Sequence, residues 1–299
     1  HGCLVGSEMC IRDRSLDVNQ ITSTVSLTAV SASQRPTGVA AGTIIWNTDT
    51  LEVEVWNGSD WVNVAKKSGG ALPTDGMRVY LDATNTDSYP GSGTTWTDLS
   101  GYGNNFQIVN GAFKGGAGSM TGYMDFQGNH GQAKNGGDIS LSGDVSYVVV
   151  TRIKNSTGQW RTLTRSYNAD HHVIVQSGAW NIGMYDNNGS GFIGTGYSQQ
   201  SLPGYASNSF MVMVWRWSNN DNPTYELHVD GISRGSISNS NARYNRGFGS
   251  IGGYHSGNTN PSSGSQWWGD IRLFAAYARR LSTSEIAEIQ NAMTNQGYI

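Results

Sequence analysis

Few side chains in this 299-residue chain combine the type and spacing that chemistry needs. Hydrolysis by carboxylates requires two of them on one face. Glu52 and Glu54 stand two apart on an alternating strand, but no groove surrounds them, and they read as a solvated strand face. Glu285 and Glu288 read as a helix cap and a surface position, and Glu226 stands alone on its strand. Asp170-His171-His172 has the residue types of a metal or proton-transfer cluster. Neighbouring strand residues point to opposite faces, so the two imidazoles cannot ligate one ion, and the segment reads as an exposed turn leading into a strand. His130, His228 and His255 are isolated in sequence. There is no G-x-S-x-G elbow, and the only two cysteines, Cys3 and Cys10, fall in an N-terminal stretch with a separate reading.

Two ligand chemistries remain. Calcium takes roughly six to eight oxygens, which Asp, Asn and loop carbonyls supply. Asp98 with Ser100, Asn104 and Asn105 makes an oxygen-rich loop, and Asp125 and Asp270 are secondary candidates. The alternative for Asp98 is hydrogen bonding within its own turn. Sugars take a flat aromatic ring for their apolar face and planar polar groups for their hydroxyls. Asp186-Asn187-Asn188, Tyr197 with Gln199, and Tyr254-His255 with Asn258 supply both types. Trp180 and Trp267 are further candidates, whereas Trp215, Trp217 and Trp268 alternate like buried strand residues.

The elements that must position these groups are strands. Charged residues are only 14% of the chain, against 40 Gly, 10 Trp and 14 Tyr, a balance that fits short strands joined by polar loops. A net charge of −3 without any basic run argues against nucleic acid as a partner, and no apolar stretch is long enough for a membrane helix. Residues 16–65 read as a small β-meander: Thr43–Trp46, Leu51–Trp56 and Trp61–Val64, with turns at Asn47–Thr50 and Asn57–Asp60 and a possible-strand alternation at Thr24–Val30. Residues 66–75 read as a linker. From 76 to 299 about a dozen short strands and a single helix predict a two-sheet antiparallel sandwich. The helix starts at Ser282 with Glu285 in the capping-box position, and it turns Ile286, Ile289 and Met293 to one side.

Four motifs give this region a family resemblance. Tyr80-Leu81-Asp82-Ala83 leads to a turn-rich run from Ser88 to Asn105, and Met124-Asp125-Phe126-Gln127-Gly128 follows. Tyr225 to Gly231 makes a strand and tight turn, and Trp268-Gly269-Asp270-Ile271 runs through Tyr277-Ala278-Arg279-Arg280-Leu281-Ser282. In this order, over residues 78–293, they resemble the laminin-G-like, concanavalin A-like jelly roll. The resemblance implies adhesion modules, lectins or glycosidases, often with structural calcium at the sheet rim. The glycosidases of that class carry E-x-D-x-x-E or E-x-D-x-E on one strand, and neither occurs here. The family's Asp after the Ile of the last strand is Arg272 in this chain, which weakens the calcium reading. The run from Arg35 to Val62 resembles a hairpin of phage tail-fibre and other virion structural proteins, which implies a trimer.

The expectation is therefore a non-enzymatic binding protein that recognises a surface glycan or glycoprotein receptor from a virion or cell surface. A structural decoration, a bacterial adhesin or a divergent glycoside hydrolase are the alternatives. Met9-Cys10-Ile11-Arg12-Asp13 resembles a translated transposase end sequence, and His1–Arg14 is expected to be an artefact; the alternative is a disordered terminus.

Overall fold

The computed structural model describes residues 27–49, 52–66, 72–109, 112–126, 132–141, 143–153, 159–166, 171–186, 191–219, 223–238, 247–253, 267 and 269–299. The chain divides into two compact units, His1–Lys67 and Ser68–Ile299.

The smaller unit is one four-stranded sheet in the order β1 (Thr28–Val30), β2 (Ile44–Asn47), β3 (Glu52–Trp56) and β4 (Trp61–Lys66). β2 to β4 are the antiparallel meander that alternation predicts, and β1 adds to β2 in parallel. The β3–β4 turn is closed by Asn57, whose Oδ1 accepts the N–H groups of Ser59 and Asp60, both at 2.8 Å, while Gly58 takes φ 104°. One expectation is overturned in this sheet. Glu54 is not solvated: it is buried and accepts Nε and Nη2 of Arg35 at 2.8 and 2.6 Å and Nδ2 of Asn47 at 3.0 Å. The Arg35 hydrogen bond holds its carboxyl below the usual carboxylate range. Arg35 arrives from the small-residue segment that precedes β2, so this fork ties that segment across the sheet.

The larger unit is an all-β, antiparallel, two-sheet sandwich. Its strands are β5 (Met77–Asp82), β6 (Thr95–Trp96), β7 (Phe106–Val109), β8 (Ala112–Lys114), β9 (Tyr123–Asp125), β10 (Gln132–Ile139), β11 (Val145–Ile153), β12 (Arg161–Arg165), β13 (His171–Val175), β14 (Asn181–Asp186), β15 (Gly191–Ser198), β16 (Met211–Ser218), β17 (Thr224–Val229), β18 (Ile232–Ser238), β19 (Phe248–Ile251) and β20 (Gly269–Tyr277). Two helices accompany them, a single turn α1 (Pro203–Ser207) and the C-terminal α2 (Thr283–Asn295). One sheet runs β18-β17-β16-β11-β20-β9-β8, with β5 also on β20; the other runs β15-β14-β13-β12-β19-β10-β7-β6.

The central strands of the first sheet carry apolar residues on both faces, and the sequence shows why. Along β11, Val145, Tyr147 and Val149 enter the core between the sheets, while Val148 and Val150 enter a second cluster under α2. β16 divides likewise, with Met211, Met213, Trp215 and Trp217 inward and Val212 and Val214 outward. α2 closes that outer face with Ile286, Ile289, Ala292 and Met293, each larger side chain contributing about 1.5–3 kcal/mol by burial. Its start is the predicted capping box: Ser282 Oγ accepts the Glu285 N–H at 3.2 Å, and Glu285 Oε2 accepts the Ser282 N–H at 2.8 Å.

In β20 the register slips between the partners of Val150 and Thr151, leaving Arg272 as the extra residue of a bulge. Ile271 therefore faces the inter-sheet core and Leu273 faces α2. The bulge aims Arg272 at the C-terminal segment, where Nη1 donates to the Tyr298 carbonyl at 2.5 Å and the guanidinium lies 3.8 Å from the Phe210 ring centroid. The β17–β18 hairpin turns on Asp230 (φ 50°) and Gly231 (φ 76°), both left-handed as a two-residue turn of this kind requires.

Candidate functional site

Among the described residues no helix cluster packs on the outer face of the second sheet, and its register lines up a row of polar residues there. Tyr185 stands opposite His171, His171 opposite Arg165, and Arg165 opposite Ser250. Ser250 continues through the backbone of Lys134 to Gln107 and Thr95. Arg165, His171 and Ser250 are buried, whereas the two ends of the row open to solvent.

One end is a hollow of about 340 Å³ lined by Thr95, Asn105, Gln107, Asn135 and Gly136, with the buried Phe106 beneath. Three planar amides meet here, and the backbone fixes one end of each. Asn105 Oδ1 accepts the Asp98 N–H at 2.9 Å. Asn135 Nδ2 donates to the Asn105 carbonyl at 3.0 Å, and Gln107 Nε2 donates to the Thr94 carbonyl at 3.0 Å. Each partner dictates which way the amide is turned. Asn105 Nδ2, Asn135 Oδ1 and Gln107 Oε1 have no hydrogen-bond partner among the described residues. The hollow thus offers one amide donor, two carbonyl acceptors and the Thr95 hydroxyl, a set that matches ligand hydroxyls, which both donate and accept.

The Asp98 loop holds this end in place and does not fit calcium. Asp98 Oδ1 accepts the N–H groups of Tyr80 and Ser100 at 2.8 and 2.9 Å; Oδ2 accepts Ser100 Oγ and the Asn104 N–H at 2.7 and 2.9 Å. Four donors occupy the carboxylate that a cation would need. Asn104 Nδ2 then donates to the Arg78 carbonyl at 2.8 Å. Asp98, Ser100, Asn104 and Asn105 are brought together as predicted, but as a self-satisfied turn. Asp125 and Asp270 lie elsewhere, opposite one another on β9 and β20, with Arg152 Nε on Asp270 at 2.5 Å. Tyr80 pairs with Ala275, five residues along β20 from Asp270, roughly 16 Å away at the rise of a strand. Among the described residues no three His, Cys, Asp or Glu side chains gather as a metal group.

The other end is aromatic. Asn181, Gly183 and Tyr185 of β14 and Phe192 and Gly194 of β15 share the outer face, opposite Ile182, Met184 and Ile193 in the core. A Cβ on Gly183 would stand 2.8 Å from the Phe192 ring and one on Gly194 also 2.8 Å, so the ring lies down over two glycines. Trp160 packs edge-on to it and to Tyr185, with centroids 5.7 and 5.6 Å away. All three rings are half-buried and belong to neither core cluster. The alternation Gly191-Phe192-Ile193-Gly194, with glycine next to the aromatic on one face of the strand, is the sequence signal for this group.

The histidine pair is not the exposed turn expected. Both residues are buried on β13 and face opposite sides: His171 Nδ1 is 3.0 Å from Thr162 Oγ1, and His172 Nδ1 is 3.2 Å from Tyr147 Oη in the core. Burial, with the charge of Arg165 nearby, lowers both to about 3, so both are neutral at physiological pH. Glu226 lies 3.5 Å from His228 and is flanked by Arg216 Nε at 2.5 Å and Arg280 Nη2 at 2.7 Å, contacts that lower its pKa.

Several sugar candidates take structural positions. Trp267 is 1% exposed and donates Nε1 to Thr151 Oγ1 at 3.1 Å, so it is a core residue and not a surface one. Gln199 is fully buried, with neither amide atom partnered among the described residues. Tyr197 packs against the core and donates its hydroxyl to the Ser201 carbonyl at 2.7 Å. Trp180, half-buried, takes φ 61° in the β13–β14 turn, and its carbonyl accepts the Gln199 N–H at 2.7 Å. Asp186 ends β14 opposite Gly191, beside the aromatic group. Asn187, Asn188, Tyr254, His255 and Asn258 lie outside the described residues.

No family model and no curated protein matches the chain. Solved structures do match, and the likeness is to β-sandwich proteins. The binding domain of Paraclostridial Mosquitocidal Protein 1 aligns at TM-score 0.52 and 15% identity, over 74% of this chain and 53% of that one. The ligand binding domain of botulinum neurotoxin serotype D, solved with N-acetylneuraminic acid, aligns at 0.50 and 13% identity, over 73% and 51%. The Trypanosoma rangeli sialidase aligns at 0.51 and 12% identity, over 85% and 44%. This chain spans about half the length of those structures. At such identities the likeness concerns the fold alone.

Proposed function

We propose that this chain is a non-enzymatic carbohydrate-binding protein. Its larger unit is a laminin-G-like jelly roll, and the hollow between Thr95, Asn105, Gln107 and Asn135 holds a hydroxyl-rich glycan. The observation that carries the reading is the three amides, each pinned at one end and open at the other. Preorganised planar groups cost little to order on binding, which is what a weakly hydrophobic, hydroxyl-bearing ligand needs. Among the described residues no carboxylate lines the hollow, which favours binding over hydrolysis. The serotype D domain, solved with a sugar acid, supports carbohydrate as the ligand class on a sandwich of this kind. The fibre-type pattern of the smaller unit supports display on a virion or cell surface, with copies joined as a trimer.

A glycan array probed with the full chain tests this reading. Binding to a defined set of oligosaccharides is expected, with Asn135→Ala lowering affinity roughly tenfold, the worth of one neutral hydrogen bond. An array without hits, or equal binding by the variant, would contradict it. Light scattering tests assembly, with three chain masses expected and a monomer contradicting it.

A further inference from the structure

We infer that the sheet bears a second sugar-contacting station at its opposite edge, where the Phe192 ring forms a stacking platform for the apolar face of a pyranose. The inference rests on the carbohydrate reading above. Aromatic residues on a strand normally stand up from the sheet. Phe192 instead lies along the surface because Gly183 and Gly194, paired with one another, leave no Cβ beneath it. One ring face rests on backbone, and the ring remains half-exposed. Trp160 and Tyr185 form a wall along one side, and Asn181 supplies an amide on the other, its Cβ lying 3.7 Å from where a Gly194 Cβ would stand. A flat ring with a polar amide at its margin takes a ligand with C–H bonds on one face and hydroxyls at its edge. This description fits a pyranose and excludes a purely polar anion.

The platform and the hollow share one face. Four strand steps separate β14 from β10, roughly 19 Å at the spacing of paired strands. They are therefore separate stations, each able to act without the other.

Saturation-transfer-difference NMR with methyl β-galactoside and methyl β-glucoside, applied to the full chain, tests the inference. The wild type should transfer saturation to the C–H protons of one sugar face, and Phe192→Ala should reduce that transfer at least about fivefold. Gly194→Ala provides a variant that keeps every aromatic residue. Its Cβ meets only side-chain atoms, Phe192 Cε1 first at 2.8 Å, so it lifts the ring without breaking the strand and should give the same loss. Asn135→Ala, which weakens the hollow, should lower the total signal by less than either β15 variant and keep its bias toward one sugar face. If both β15 variants match the wild type while Asn135→Ala abolishes the signal, the platform is refuted and the hollow stands. If no glycoside receives saturation from the wild type, the carbohydrate reading fails together with the platform.

Discussion

The two large sheets share one core, yet their outer faces are opposites. On the helix-covered sheet Val148, Val150, Val212, Val214 and Leu273 are sealed under Ile286, Ile289 and Met293. On the other sheet the corresponding face carries Gln107, Ser250, Arg165, His171 and Tyr185 in register, with an amide-lined hollow at one edge and a flat aromatic ring at the other. The first face is made for stability: its buried cluster is apolar, and the polar groups beside it, Ser146 and Arg216, bind the Leu281 backbone just ahead of α2. The second spends burial on polar groups, including His171, which must stay neutral. A face whose polar atoms are held in fixed orientations and left open at its edges is where ligand chemistry belongs.

The contrast can be broken from either side. The largest effect is expected on the sealed face. Val214→Asp places a carboxylate under α2 and should cost more than about 3 kcal/mol, read as a fall in the urea midpoint at constant slope. A shift below 1 kcal/mol would mean that α2 does not seal that face.

A smaller effect arises from the histidines. Their folded pKa values, about 3, lie below the ordinary 6.5 of an imidazole, so on acidification the unfolded chain takes up protons that the folded chain refuses. The stability they permit is fully present above about pH 6.5 and is lost as pH falls toward 3. Between pH 7 and 4.5 the unfolding free energy should drop by a few kcal/mol, and His171→Asn should flatten part of that slope. A flat profile in the wild type would show that the imidazoles are accessible to protons.

The smallest stability effect belongs to the open edge. Gln107→Ala should change stability by no more than about 0.5 kcal/mol while weakening glycan binding. If it destabilised the chain as Val214→Asp does, the hollow would be a packing feature and not a binding one.

The same contrast explains what the sequence made legible. Apolar alternation and doubly apolar strands such as Val145–Ile153 define the sandwich, and the Ser282–Glu285 box defines α2, because local patterns generate both. The site was harder to see. Asn105 was noticed as a calcium oxygen because its loop is oxygen-rich, but whether a carboxylate is free depends on donors from Tyr80 and Asn104, 18 and 6 residues away in sequence. Gln107 and Asn135 drew no attention, since their proximity comes from β7 pairing with β10 across more than twenty residues. Trp267 follows the same logic in reverse: a residue before a strand looks exposed, and only the partner Thr151 on β11 shows that it is core. Register decides function here, and register is a long-range property.

Side-chain amide signals in a nitrogen–proton correlation spectrum test the central claim most directly. On titration with the strongest oligosaccharide from the array, the NH₂ pairs of Asn105, Gln107 and Asn135 should shift together and saturably, while the backbone signals of α2 stay fixed. Saturable binding that moves α2 and leaves those three amides unchanged would contradict it.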